Sequence, residues 1–340
     1  MAPQSYYHAP PVGNLKVLLT VIQSQMTKAR LPPKDLSLEG QTVLLTGGNV
    51  GVGYGCAEWL VELNVGRLIL AVRTPSKGEA AATKLRQKNS RVKIDVWKVD
   101  MESYRSVQDL AAQCQSLDRL DIAILNAGAL ADKFHRGPEG HELSTQVNYY
   151  STVLLSFLLL PILKSKSPTG KPGRLTIVNS GSSFAAKLLH RHEKPFLPTF
   201  DDESKFDPLE WYQANKALAQ FWILKLAEKV RQEDVVVNLV DPGYVAGTQL
   251  HRDVTGFAAF VFAASKAMTG RNIRNGSSTY IDAAVVKGPD SHGSFVMDWK
   301  IYPYIAAVHE KGGEEVADKI WEETLQELSF ADVQGILDRL

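Results

Sequence analysis

From residue 42 onward, short apolar runs alternate with longer stretches whose apolar residues recur every three or four positions. The runs at 42–46, 67–72, 92–99, 121–125, 174–178 and 235–240 are rich in Val, Ile and Leu, and a last one lies near 293–297, after 283–286. Runs of that length and composition predict buried strands. Between them the period changes to that of a helix: after residue 53 with Ala57, Leu60, Val61 and Leu63 on one face, then at 78–88, 103–114, 142–163 and 210–230. Strands alternating with helices predict an α/β chain, a parallel sheet of about seven strands covered on both faces. Residues 1–39 read as a leader rich in Pro, Tyr and Gln, with one short helix at 15–27, and residues 314–340 as two amphipathic helices closing the domain at 40–313. The pattern holds no repeat, low-complexity tract or flexible linker, so one domain is expected.

Loops at the ends of these strands carry the chemistry. The first strand runs into Gly47-Gly48-Asn49-Val50-Gly51-Val52-Gly53 and then a helix. Strand, glycine loop and helix in this order form a dinucleotide cradle, because glycines admit a pyrophosphate close to the backbone and the helix start offers free N–H groups. The expected fold is therefore a Rossmann-type doubly wound sheet, with Gly47, Asn49, Gly51 and Val52 at the phosphates. The second strand ends in Arg73, with Lys77 beyond it, where an acidic residue would hold a ribose 2′-hydroxyl and a basic one a 2′-phosphate. NADP(H) is favoured over NAD(H). Asp100 closes the third strand, Asn126-Ala127-Gly128 the fourth, Asn179-Ser180-Gly181-Ser182-Ser183 the fifth and Asp241-Pro242-Gly243 the sixth. All should face the carboxyl edge, where open α/β sheets bind ligands.

Tyr212 and Lys216 stand one turn apart in the 210–230 helix and project side by side. A lysine beside a phenol favours phenolate and should lower the tyrosine pKa, which suits proton exchange with a carbonyl. Asn148, a polar amide in an apolar helix, needs partners or a water. The connection at 188–209 is long and carries Phe196, Leu197 and Phe200, which suggests a binding loop or an insertion. Together with Leu250, Phe257, Phe260 and Phe262 after the sixth strand, it is expected to enclose an apolar substrate. The segment 256–268 reads equally as a lid, a dimer contact or a surface touching lipid.

Composition narrows the partners. The 340 residues are 44% hydrophobic and 22% charged, with a formal charge of +1 and no long run of one sign, so charge gives no reason to expect nucleic acid or an anionic membrane. Cys56 and Cys114 make no metal spacing, no metal site is expected, and a reducing compartment, the cytoplasm, fits best. The runs at 15–23 and 153–163 are too short to span a bilayer, and no transmembrane span is expected. A homodimer is left open.

Taken together these residues resemble the short-chain dehydrogenase/reductase family, over about residues 36–312. The likeness rests on Thr46-Gly47 with Gly51-Val52-Gly53, Asp100, Asn126-Ala127-Gly128, Asn148, Ser180, Tyr212 with Lys216, and Pro242-Gly243, in family order. Glu139-Gly-His-Glu142, Leu159-Leu160-Pro161 and the long serine-to-tyrosine spacing look closest to the retinol-dehydrogenase-like branch, and the style is similar to fungal members of secondary metabolism. The resemblance implies that Tyr212 exchanges a proton with the substrate oxygen as hydride moves to or from the nicotinamide. It implies that Lys216 holds the nicotinamide ribose, that Ser180 (with Ser182 as runner-up) bonds the alkoxide, and that Asn148 holds a water linking Lys216 to solvent. Asp100, Asn126, Ala127, Gly128, Pro242, Gly243 and Val245 would line the cofactor. Asn179 and Asn215 depart from serines frequent in the family, and the stretch from Pro242 to Thr248 is one residue longer than the usual form. The expected activity is an NADPH-dependent reduction of a carbonyl on a bulky apolar small molecule, or its reverse. A non-redox enzyme that retains the cofactor (an epimerase, dehydratase or cyclase) is the alternative.

Overall fold

A computed structural model describes residues 2–168, 170–246 and 270–340. Leu250, Phe257, Phe260, Phe262 and the segment 256–268 lie outside the described residues. The described chain forms one eight-stranded sheet in the order β3-β2-β1-β4-β5-β6-β7-β8. The strands are β1 (Thr42–Thr46), β2 (Arg67–Val72), β3 (Lys93–Lys98), β4 (Ile122–Leu125), β5 (Gly173–Val178), β6 (Val235–Val240), β7 (Phe295–Met297) and β8 (Lys300–Tyr302). Neighbours from β3 through β7 pair in parallel, and β8 alone runs antiparallel, against β7. Chain order reverses between β1 and β4, which opens a crevice at their carboxyl ends.

Side chains alternate faces along each strand, and the core divides accordingly. Val43 and Leu45 of β1 join Leu68, Leu70, Ile122 and Ile124 under α2 (Gly51–Glu62), α3 (Pro75–Lys88) and, at Tyr280 and Ile281, the helix Ile273–Ile281. Leu44 points the other way, with Ile69, Ala123, Leu125, Leu175 and Ile177, under α4 (Tyr104–Gln115), α5 (Leu143–Lys166) and α6 (Pro208–Lys229). The 24 residues of α5 are apolar enough to cross a bilayer by length and composition, but 89% of the most apolar window is buried inside the protein. Desolvation by neighbouring helices explains its composition.

The chain before β1 adds α1 (Asn14–Met26). Ahead of it, Ser5 accepts a hydrogen bond from the Phe295 amide at 2.8 Å, so the first residues run beside β7. After the helix Ile273–Ile281, which is α7, the chain ends in α8 (Gly313–Glu327) and α9 (Val333–Asp338). Tyr149 and Thr324 join their hydroxyls at 2.7 Å, and the Glu323 carboxylate accepts from the amides of Phe196 and Leu197 at 2.8 and 2.6 Å.

Three sequence expectations need revision. An eighth strand follows β7 because Asp298 and Trp299 take φ of 55° and 58°, the geometry of a two-residue hairpin turn. Neither is glycine or asparagine, so the pattern carries no turn signal. The α7 helix was not expected either. Phe196, Leu197 and Phe200, expected around the substrate, are core residues: Phe200 packs edge-on against Trp211 with ring centres 5.2 Å apart, and all three are buried.

Candidate active site

The glycine loop is built for close approach. Gly47 and Gly51 have φ of 67° and 58°, a region that L side chains rarely adopt. A Cβ on Gly53 would lie 2.4 Å from the Gly47 carbonyl oxygen, and one on Gly47 would lie 2.9 Å from Asn126 Nδ2. The first turn of α2 has no side-chain cap, because Val50 stands at the N-cap position and offers none. Its N–H groups are left for a ligand or water. Asn49 and Val52 are half-buried at this turn.

Asn126 holds the loop open. Its Nδ2 donates to the carbonyls of Thr46 and Gly47 at 2.9 and 3.1 Å, and its Oδ1 accepts from the Tyr280 hydroxyl at 3.0 Å. The Thr46 hydroxyl accepts in turn from the amides of Asn126 and Ala127. With the Asn126 amide fully engaged within the protein, its side chain fixes the shape of the crevice. Asn148 acts similarly from a π-turn in α5, Gln146–Tyr150. It accepts from the Ala129 amide at 2.9 Å and donates to the Ala129 carbonyl at 2.7 Å, which holds the Gly128 end of the loop. These two bonds use one N–H and one lone pair of the carboxamide, which has two of each.

At the end of β2, Arg73 and Lys77 are exposed. Arg73 donates to Glu102 at 2.7 Å, and the Glu102 amide donates to Asp100. Asp100 is half-buried, and its own amide donates to Ser106. The basic residues expected at a 2′-phosphate therefore sit beside an acidic competitor.

At the end of β5 the environment is the reverse. Burial pushes the Tyr212 pKa up to about 12, with the nearby Asp241 carboxylate adding to the rise and the neighbouring Ser180 hydroxyl opposing it. Ser180 also accepts from the Ser182 amide at 3.1 Å, while Ser182 Oγ is buried without a partner. Lys216 Nζ lies 5.9 Å from the centre of the Tyr212 ring and donates to the Val178 carbonyl at 2.8 Å. Burial lowers its pKa to about 8, against the attraction of Asp241. The expected lowering of the tyrosine pKa is thus overturned, because desolvating a phenolate outweighs the neighbouring ammonium. Asn179 takes part by donating to the Lys216 carbonyl at 3.0 Å, which pins α6 to β5.

Beyond β6, Asp241 accepts from the Gly181 amide at 3.0 Å, and burial raises its pKa to about 6. Gly243 has φ of 75°, and Arg271 crosses behind it, donating to the Pro242 carbonyl at 3.1 Å. Val245 is buried and bridges to Arg271 in the backbone. The structure thus brings Ser180, Tyr212, Lys216 and Asp241 together at the carboxyl edge, with Asn148 holding the adjacent loop. Sequence reasoning missed Thr46, Asp241, Arg271 and Tyr280 as site residues. Thr46 and Asp241 had a signal, each closing a predicted strand, whereas Arg271 and Tyr280 stand in a region with no strand or glycine motif.

Comparison with known proteins follows this geometry. The family model for short chain dehydrogenases matches residues 41–189. The short chain dehydrogenase/reductase mfmJ of Annulohypoxylon moriforme is 45% identical over 316 residues, 92% of each chain. The short chain dehydrogenase virL of Hypocrea virens is 38% identical over 93% of each. Among solved structures, an uncharacterized protein from Mycobacterium paratuberculosis superposes with a TM-score of 0.66 at 20% identity, covering 89% of this chain and 98% of that one. The Pseudomonas aeruginosa RhlG/NADP active-site complex superposes with a TM-score of 0.57 at 21% identity, covering 81% and 98%. These structures share the fold, and the fungal relatives share the sequence nearly end to end. The chain is therefore a member of the short-chain dehydrogenase/reductase family, oxidoreductases that bind NAD or NADP.

Proposed function

We propose that the protein is an NADPH-dependent reductase of a carbonyl on a bulky apolar small molecule, or catalyses the reverse oxidation, and that the substrate is an intermediate of secondary metabolism. The observation that carries this reading is the buried Tyr212–Lys216 pair, with Lys216 Nζ 5.9 Å from the centre of the Tyr212 ring and Ser180 beside the phenol. A bound nicotinamide would supply or accept the hydride. The glycine loop fits its dinucleotide, since a Cβ at Gly47 or Gly53 would fill the space against Asn126. Gly47, Asn49, Gly51, Val52, Asp100, Asn126, Ala127, Gly128, Pro242, Gly243 and Val245 would line it, with Arg73 and Lys77 at the 2′-phosphate.

Tyr212, held protonated by burial, is the acid that gives its proton to the substrate oxygen. Ser180 donates a hydrogen bond to the same oxygen as negative charge grows there, and a dry site strengthens both contacts. Lys216 has one N–H bonded to Val178 and others left to hold ribose hydroxyls. In either direction Tyr212 passes through its phenolate, and the neighbouring Lys216 ammonium stabilises that form.

Cys56 and Cys114 are free and buried, which supports a reducing cytoplasmic setting. The test is consumption of NADPH with a panel of hydrophobic ketones, read together with product analysis. Stoichiometric NADPH loss supports the reductase; substrate converted without net NADPH loss would point instead to an epimerase, dehydratase or cyclase.

A further inference from the structure

The segment ahead of the family-matched core reaches the loop that follows β6. Ser24, near the end of α1, is buried; its hydroxyl donates to Asp298 Oδ1 at 2.7 Å, and its carbonyl accepts from Arg271 Nη2 at 2.8 Å. Arg271 is itself buried, ion-paired with Asp298, and its guanidinium lies 4.7 Å from the centre of the Trp299 ring. Its other nitrogen donates to the Pro242 carbonyl, and a Cβ on Gly243 would come within 2.5 Å of that nitrogen. The backbone adds a second connection: the Arg271 amide donates to Tyr244, and the Ala246 amide donates to Arg271, each at 2.8 Å. Gln25 adds a third, its amide nitrogen donating to the Tyr244 carbonyl at 3.2 Å while its oxygen accepts from the Tyr244 amide at 3.0 Å.

We propose that α1 is a strap on the nicotinamide end of the site, with Ser24 and Gln25 as positioning residues that hold the 242–246 loop where its backbone meets the cofactor. This rests on the nicotinamide-nucleotide reading above. A loop clamped from two sides is ordered before the ligand arrives, so binding does not have to order it. Buried charges raise the stakes. Removing the Ser24 hydroxyl takes one donor from the buried Asp298 carboxylate. Gln25 is half-buried, and its loss is milder.

The experiment uses the full chain with Ser24→Ala, Ser24→Thr and Gln25→Ala. It measures dissociation constants for whichever of NADPH and NADH the unaltered protein binds, and for that nucleotide's adenosine half (2′,5′-ADP or ADP). A strap on the nicotinamide end weakens the whole nucleotide about tenfold in Ser24→Ala and a few-fold in Gln25→Ala. It leaves the adenosine fragment unchanged, and Ser24→Thr restores binding. Equal weakening of nucleotide and fragment would mean a general loss of structure and overturns the strap. So does unchanged binding in both alanine variants. If Ser24→Ala does not fold, Gln25→Ala decides alone by the same two measurements. An unaltered protein that binds neither nucleotide breaks the cofactor reading itself, and the strap with it.

Discussion

Where β5 ends, Tyr212, Lys216 and Asp241 are buried, and each has a pKa displaced by desolvation. Where β2 ends, Arg73 keeps 62% of its side chain in solvent and pairs with Glu102. Both regions lie on one sheet edge, yet they answer to different physics. In the buried region the protein sets protonation states, and one atom changes chemistry. In the exposed region water and salt screen every charge, so each contact contributes modestly and several must act together. Under the proposed function, proton transfer falls to the first region and the reading of a 2′-phosphate to the second.

The sharpest way to break this contrast is Tyr212→Phe, which removes the acid and keeps the ring. Turnover is expected to fall by about two orders of magnitude or more, while the nucleotide dissociation constant measured by fluorescence titration stays within about twofold. Turnover near that of the unaltered protein would remove Tyr212 from the chemistry.

Lys216→Met tests the cost of burying charge. The folded pKa of Lys216 lies near 8, below its ordinary value of 10.5. Below pH 8 lysine is charged in both states, and the folded state carries the full penalty. Between pH 8 and 10.5 the unfolded chain binds more protons, so stability rises with pH until the penalty is gone. The inactive methionine variant should therefore be more stable at pH 7, by on the order of 2–3 kcal/mol. That margin should shrink from pH 8 to 10.5 in denaturant titrations. A methionine variant less stable at pH 7 would mean that the Val178 bond and the attraction of Asp241 outweigh desolvation.

Smaller effects belong to the exposed region. Arg73→Ala should weaken NADPH about tenfold and leave NADH nearly unchanged, the scale of one charge-assisted phosphate contact. Glu102→Gln frees the arginine and should tighten NADPH about two- to threefold at low salt, with the gain fading as salt is raised. Equal effects on both nucleotides would show that neither side chain reads the 2′-phosphate.

The strands were legible because buried parallel strands are written as unbroken aliphatic runs: β1, β2 and β6 begin and end where the pattern places them. The Tyr212–Lys216 pair was legible because a helix turns spacing into proximity. What the sequence hid depends on contacts distant along the chain. The tyrosine pKa was misjudged in sign, since spacing shows the lysine but not how much protein excludes water around both groups. The partners that hold the Asn126 and Asn148 side chains, Thr46, Gly47, Tyr280 and Ala129, were hidden in the same way. Arg271 joins partners at Ser24, Pro242 and Asp298, and no local pattern announces such a junction.

The Ser5–Phe295 hydrogen bond spans 290 positions of the chain, which has a bearing on how the protein is made. A ribosome adding about 5–20 residues per second needs roughly 15–60 s to cover that interval. Until Phe295 is made the residues around Ser5 lack this partner, even after all the strands from β1 to β6 have been synthesised. Closing so long a loop is slow, as are all pairings between distant segments. The segment around Ser5 is thus made long before its partner and is among the last to settle, and it is this segment that waits for β7.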